Sequence, residues 1–95
     1  MEKKIFNAAQ FAAQTLKEND VTYFPDLLCL VAVKRLGGIY YVFADKETSC
    51  FIGVCEYGND YAVFDVNDFE ESIKESNPEA YAELEANTDR FYKEN

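Results

Sequence analysis

Apolar residues recur at three- and four-residue steps through Phe6, Ala9, Ala13 and Leu16, with Ile5 and Ala12 widening the stripe. That period predicts an amphipathic helix over residues 4–18. Asn19-Asp20 stops it. The VTYF segment at 21–24 reads as extended, because Pro25 pushes the residue before it out of helical geometry. The pattern then shortens into apolar runs broken by turn residues. Leu27–Arg35, Ile39–Ala44, Ser49–Tyr57 and Tyr61–Val66 read as four strands. They are separated by Leu36-Gly37-Gly38, Asp45-Lys46-Glu47-Thr48 and Gly58-Asn59-Asp60. The first of these turns has a Gly-Gly pair suited to positive φ. Connections this short imply antiparallel neighbours and hence a meander.

The last third returns to a helical period. Asn67 is placed to cap a short helix over Asp68–Glu75, with Glu70 as its capping-box partner and Phe69 and Ile73 as its apolar edge. Asn77-Pro78 is a second start signal: a good N-cap, then a proline at the first helical position. From Pro78 to about Lys93, Tyr81, Leu84, Thr88 and Phe91 share a face, with Tyr92 beside them. The expected fold is α+β in the order α-β-β-β-β-α-α, a curved antiparallel sheet with helices on one face. The strands complicate that picture. Ile39, Tyr41 and Phe43 alternate with Tyr40, Val42 and Ala44, so the second strand is apolar on both sides, and the third behaves alike. Either helices cover both faces, or one face meets another chain.

At 95 residues the chain is expected to form one domain, residues 1–95, with little room for a deep enclosed cavity. An apolar fraction of 48% is too high for disorder despite a net charge of −9. No apolar run approaches a membrane span, and Asn7, Gln10 and Gln14 break any signal-like core near the N-terminus. A cytoplasmic protein without a membrane partner is the expectation. Cys29, Cys50 and Cys55 fit it: three thiols in a chain with an adequate core do not suggest a disulfide framework.

Candidate chemistry is thin. With no histidine, the commonest general base and metal ligand are missing, along with every Ser-His or Cys-His arrangement. Cys50 and Cys55 lack a second pair for zinc and read as core thiols. Asp60–Glu71 fails the EF-hand spacing, although Asn59, Asp60 and Asp65 could form an irregular calcium site. The isolated hairpin glycines form no phosphate-binding pattern. The expectation is a non-enzyme with no catalytic residue, cofactor or metal.

Charge changes the picture most. Residues 65–95 hold ten acids against three bases, a net of −7; the preceding sixty-four residues hold eight against six, a net of −2. Part of this acidic helical region is ordinary helix design. Acids are favoured in first turns, and Glu70/Lys74 and Asp89/Lys93 are good i,i+4 pairs. Glu71/Glu75, Glu79/Glu83 and Glu85/Asp89 are like-charge pairs, each costing roughly 0.2–0.5 kcal/mol. Glu75, Glu79, Glu83, Glu85 and Asp89 are therefore the candidate protein-binding residues. They suit a basic partner, foremost a nucleic-acid-binding protein that the chain would inhibit. Direct nucleic-acid binding is excluded by repulsion. In size and charge the chain resembles small phage counter-defence proteins, anti-CRISPR proteins among them; the likeness is one of type, carried by no motif. The alternatives are a small homodimeric or homo-oligomeric structural or accessory protein joined through an apolar sheet face, and a small-ligand-binding or enzyme module using tyrosines and carboxylates.

Overall fold

The computed structural model describes residues 2–18 and 25–94. Helix α1 (Glu2–Lys17) precedes four strands, β1 (Leu27–Arg35), β2 (Gly38–Asp45), β3 (Phe51–Tyr57) and β4 (Asp60–Phe64). Helices α2 (Val66–Ser76) and α3 (Pro78–Glu94) follow. The strands lie in chain order, and each pairs antiparallel with the next. This is the α+β meander expected from the sequence. The expected helix stop at Asn19-Asp20 and the extended 21–24 segment lie outside the described residues.

The helices are not on one face. α1 packs on Tyr41, Phe43, Ile52 and Val54, using Ala8 and Ala12 at its centre. α2 and α3 pack on the opposite face, where Phe69, Ile73, Ala80, Leu84 and Phe91 meet Leu30, Val31, Val33, Val42 and Ala44. The cause is β2, which is buried without interruption from Tyr41 to Asp45 and so needs a cover on each side. The two-sided apolar pattern, which motivated the homo-oligomer alternative, is thus accounted for within the chain. The apolar stripe of α1 is also rotated from its expected position. Ala8 and Ala12 are fully buried, whereas Phe6 is 60% exposed.

β1 serves both faces through a bulge. Cys29 pairs with Phe43 and Val31 with Val42, leaving Leu30 as an extra residue. Strict alternation would put Leu27, Cys29, Val31 and Val33 on one side. With the bulge, Leu27 and Cys29 pack toward α1, and Leu30, Val31 and Val33 toward α2 and α3.

The β1–β2 turn departs from the sequence reading. Positive φ falls on Leu36 (52°) and on Gly37 (82°), the first glycine of the pair alone. Gly38 is already in β2, where a Cβ would come within 2.5 Å of the Glu56 carbonyl oxygen and 2.7 Å of the Tyr57 ring. The β2–β3 connection is organised by Asp45, a fully buried carboxylate. Its Oδ1 accepts from the backbone N–H groups of Asp26 and Glu47, each at 3.0 Å, and its Oδ2 accepts from the Thr48 hydroxyl at 3.1 Å. One side chain thereby ties the entry to β1 to the connection after β2. Cys50, expected in the core, is exposed at the end of this connection; Cys55 is buried and Cys29 intermediate, and all three are free.

Replacing Asp45 with alanine leaves three donors without their acceptor and should destabilise the fold by about 1–3 kcal/mol. Asp45→Asn, which keeps Oδ1 for the two backbone donors, should cost less. Urea denaturation of the two variants checks this order, and equal midpoints for wild type and Asp45→Ala would refute the assignment.

Candidate functional site

The acidic region is built on two helices whose starts are both capped. Asp65, not Asn67, is the N-cap of α2: its Oδ1 accepts from the N–H groups of Asn67 and Asp68 at 2.9 and 3.2 Å. The helix therefore begins earlier than expected, and Glu70 is freed from the capping-box role. Asn77 does two jobs. Its N–H donates to the Ile73 carbonyl at 2.7 Å, closing α2, and its Oδ1 accepts from the Ala80 N–H at 3.2 Å, opening α3. A single residue thus joins the helices, as the Asn-Pro pair implied.

The rotation of α3 is fixed by buried Ala80, Leu84 and Phe91, and by the Asn87 side chain, whose Nδ2 donates to the Leu30 carbonyl at 2.6 Å. Leu30 is the bulge residue of β1, so the bulge and the helix hold each other.

That rotation decides where the candidate residues point. Glu75, Glu79, Glu83, Glu85 and Asp89 are all exposed. Glu79 and Glu83 flank β1, sharing a shallow cleft with Ala32, Val33 and Lys34. The Glu83 charge reaches Cys29, whose thiol is pushed up to about 11 chiefly by burial. Glu85 faces the other way, toward Glu70 of α2. Glu79 and Glu85 are about 120° apart around the helix at 100° per residue, and Asp89 follows Glu85 one turn on. Glu75 belongs to the outer side of α2, with Glu71 and Asp68. The fold gathers the five acids into one layer but divides them among three flanks.

Beside this layer lies a cleft that the sequence did not reveal. It has a volume of about 500 Å³ and lies between the β3–β4 end of the sheet, the first turns of α2 and the last turns of α3. Phe51, Phe64, Val66 and Tyr92 supply apolar wall, and Asn67, Glu70 and Thr88 the polar part. Tyr92 is 57% exposed. Tyr92 stacks on Phe51 with ring centroids 6.0 Å apart, and Phe51 meets Phe91 edge-on. Desolvation, then the Glu85 charge, raise the Glu70 carboxyl above the ordinary glutamate value. Lys74, one turn along α2, leans over the Tyr81 ring at 5.8 Å. The available signal was Glu70 itself, four residues after an apolar Val66 and on the helix side toward α3, but its role there depends on packing.

Other polar clusters are structural. Tyr61 Oη donates to buried Glu56 at 3.2 Å, and the Tyr61 ring stacks on Phe11. Tyr41, buried near Glu56, has its hydroxyl pushed up to about 12, first by desolvation and then by that carboxylate. Arg35 donates to Ser72 and lies over the Tyr40 and Phe69 rings, pinning α2 to β1 and β2. Asp60 and Asp65 stand at opposite ends of β4, so the irregular calcium arrangement is not assembled. Among the described residues no group of three or more Cys, Asp or Glu side chains is placed to hold a metal ion. No helix among them is long and apolar enough to cross a membrane. No protein-family model, curated protein sequence or solved structure matches the chain.

A carboxyl with a raised folded pKa favours the folded state when protonated. That contribution is lost as pH rises from the ordinary glutamate value through the raised one. Glu70→Gln should therefore have a slightly higher Tm than wild type at neutral pH. The gain should be small, since Glu70 is only partly buried, and should vanish as acid protonates the carboxyl. Thermal melts across the acidic range check it; a Tm lowered at neutral pH would contradict the placement of Glu70.

Proposed function

We propose that the chain is a non-enzymatic protein-binding module that docks its α2–α3 layer on a basic, nucleic-acid-binding protein and inhibits it, in the manner of phage counter-defence proteins. The observation that carries this reading is the layering. Both acidic helices pack on one side of the sheet, so ten acids and three bases over residues 65–94 share that side. A concentrated field steers a partner of opposite charge and raises its rate of encounter.

The division of the acids among flanks bears on how such a partner is met. A helix of seventeen residues spans about 25 Å, over which duplex DNA carries roughly fifteen charges, about seven on each strand. The layer matches the charge of one strand in number but not in alignment. Docking on a basic protein surface suits it better than close imitation of a nucleic-acid backbone. Free thiols at Cys29, Cys50 and Cys55 suit a cytoplasmic setting for this encounter.

Affinity capture from the source cell, with ionic strength as the variable, tests the reading. An electrostatic partner should be retained at low salt and released at high salt, because exposed charges are screened beyond about 10 Å at 0.1 M. A variant with lysine at Glu79, Glu83, Glu85 and Asp89 should lose that partner while keeping the fold by circular dichroism. Retention of the same proteins by the charge-reversed variant would end the proposal.

A further inference from the structure

The cleft beside the acidic layer combines features that the outer acidic flanks lack. Apolar side chains of Phe51, Phe64 and Val66 form much of its wall, and Tyr92 adds an exposed ring. It opens where the sheet narrows: β4 ends at Phe64, opposite Gly53, so Phe51 and Ile52 are paired on the β2 side alone. One carboxylate, Glu70, lies within it, and Glu85 stands close enough to repel that charge. The nearest lysine along α2, Lys74, is turned to the Tyr81 ring.

We propose that this cleft takes an arginine-bearing, partly apolar segment of the basic partner. The arginine stem would lie on Phe64 and Val66, and its guanidinium would meet Glu70 and the Tyr92 ring. The proposal rests on the acidic-layer reading above and gives that layer an anchoring point. Charge selects the occupant. An anion is repelled by Glu70 and Glu85, and a purely apolar group would cover Glu70 without giving its carboxylate a partner, which is costly. Arginine answers both parts of the cleft, since its guanidinium pairs with carboxylates, stacks on aromatic faces and is more weakly hydrated than an ammonium group. A volume of about 500 Å³ exceeds one side chain, so neighbouring apolar residues of the segment enter too.

The test is a ¹⁵N-resolved NMR titration of the full chain with a short synthetic peptide, a Leu-Arg-Leu unit between Gly-Lys flanks. A second peptide carries citrulline, neutral and nearly isosteric, in place of the arginine. The arginine peptide should shift the amides of Gly53, Val66, Glu70 and Thr88. Citrulline, or Glu70→Gln in the protein, should weaken binding about tenfold, and Tyr92→Ala by about threefold. Glu70→Gln removes a desolvated charge and Tyr92 is exposed, so both variants should keep a dispersed spectrum. Shifts confined to Glu75, Glu79 and Glu83, equal for both peptides, would overturn the cleft and leave the acidic-layer reading standing. Cleft shifts that Glu70→Gln does not weaken would also overturn it. No shift anywhere at low salt would overturn both.

Discussion

β2 has no wet side. From Tyr41 to Asp45 every residue is buried, with Tyr41 and Phe43 toward one face and Val42 and Ala44 toward the other. Leaving either face open would expose a contiguous apolar patch, and water is excluded from such surface at about 25 cal/mol per Å². Two layers of helix are therefore required. α1 supplies one through its alanines, which allow a close approach, and the α2–α3 pair supplies the other. β1 must contribute to both cores, and its bulge at Leu30 is how a nine-residue edge strand does so.

This requirement also arranges the surface. α2 and α3 share a face because the second core needs both Phe69 and Ile73 from one and Ala80, Leu84 and Phe91 from the other. Their outward sides are strongly acidic, so satisfying the core concentrates the charge. The arrangement has a local consequence. α2 and α3 bring Glu70 and Glu85 close enough to repel, next to an aromatic wall. That pair marks the place where the acidic layer and the apolar cleft meet.

Much of the fold was legible because its signals are local. Glycine turns, apolar runs and the Asn77-Pro78 start each act over a few residues, and all seven elements form within a few positions of their expected bounds. The errors share a cause. Asn67 and Asp65 are both good caps, and the choice fell to Asp65 because β4 ends at Phe64 and Val66 must turn inward. Asp45 read as an ordinary turn residue; only the arrival of Asp26 beside it shows that it joins two connections. Cys50 looked like a core thiol from its apolar neighbours, yet the connection ordered by Asp45 leaves it outside. Each case depends on a residue distant in sequence.

The candidate site divides along the same line. Sequence alone determined the amount and chain position of the negative charge, the absence of histidine chemistry and the candidate acids Glu75, Glu79, Glu83, Glu85 and Asp89. Composition and helical period are properties of the chain itself. It could not determine which way those acids face. A helix's rotation is set by the contacts it makes, here the Asn87 amide on the Leu30 carbonyl and the burial of Leu84 and Phe91. Tertiary structure alone split the acids among three flanks, set Glu70 against Glu85, and formed an open cleft from β3, β4, α2 and α3. Its residues lie as far apart as Phe51 and Tyr92, and only burial on both sides of one sheet brings them together.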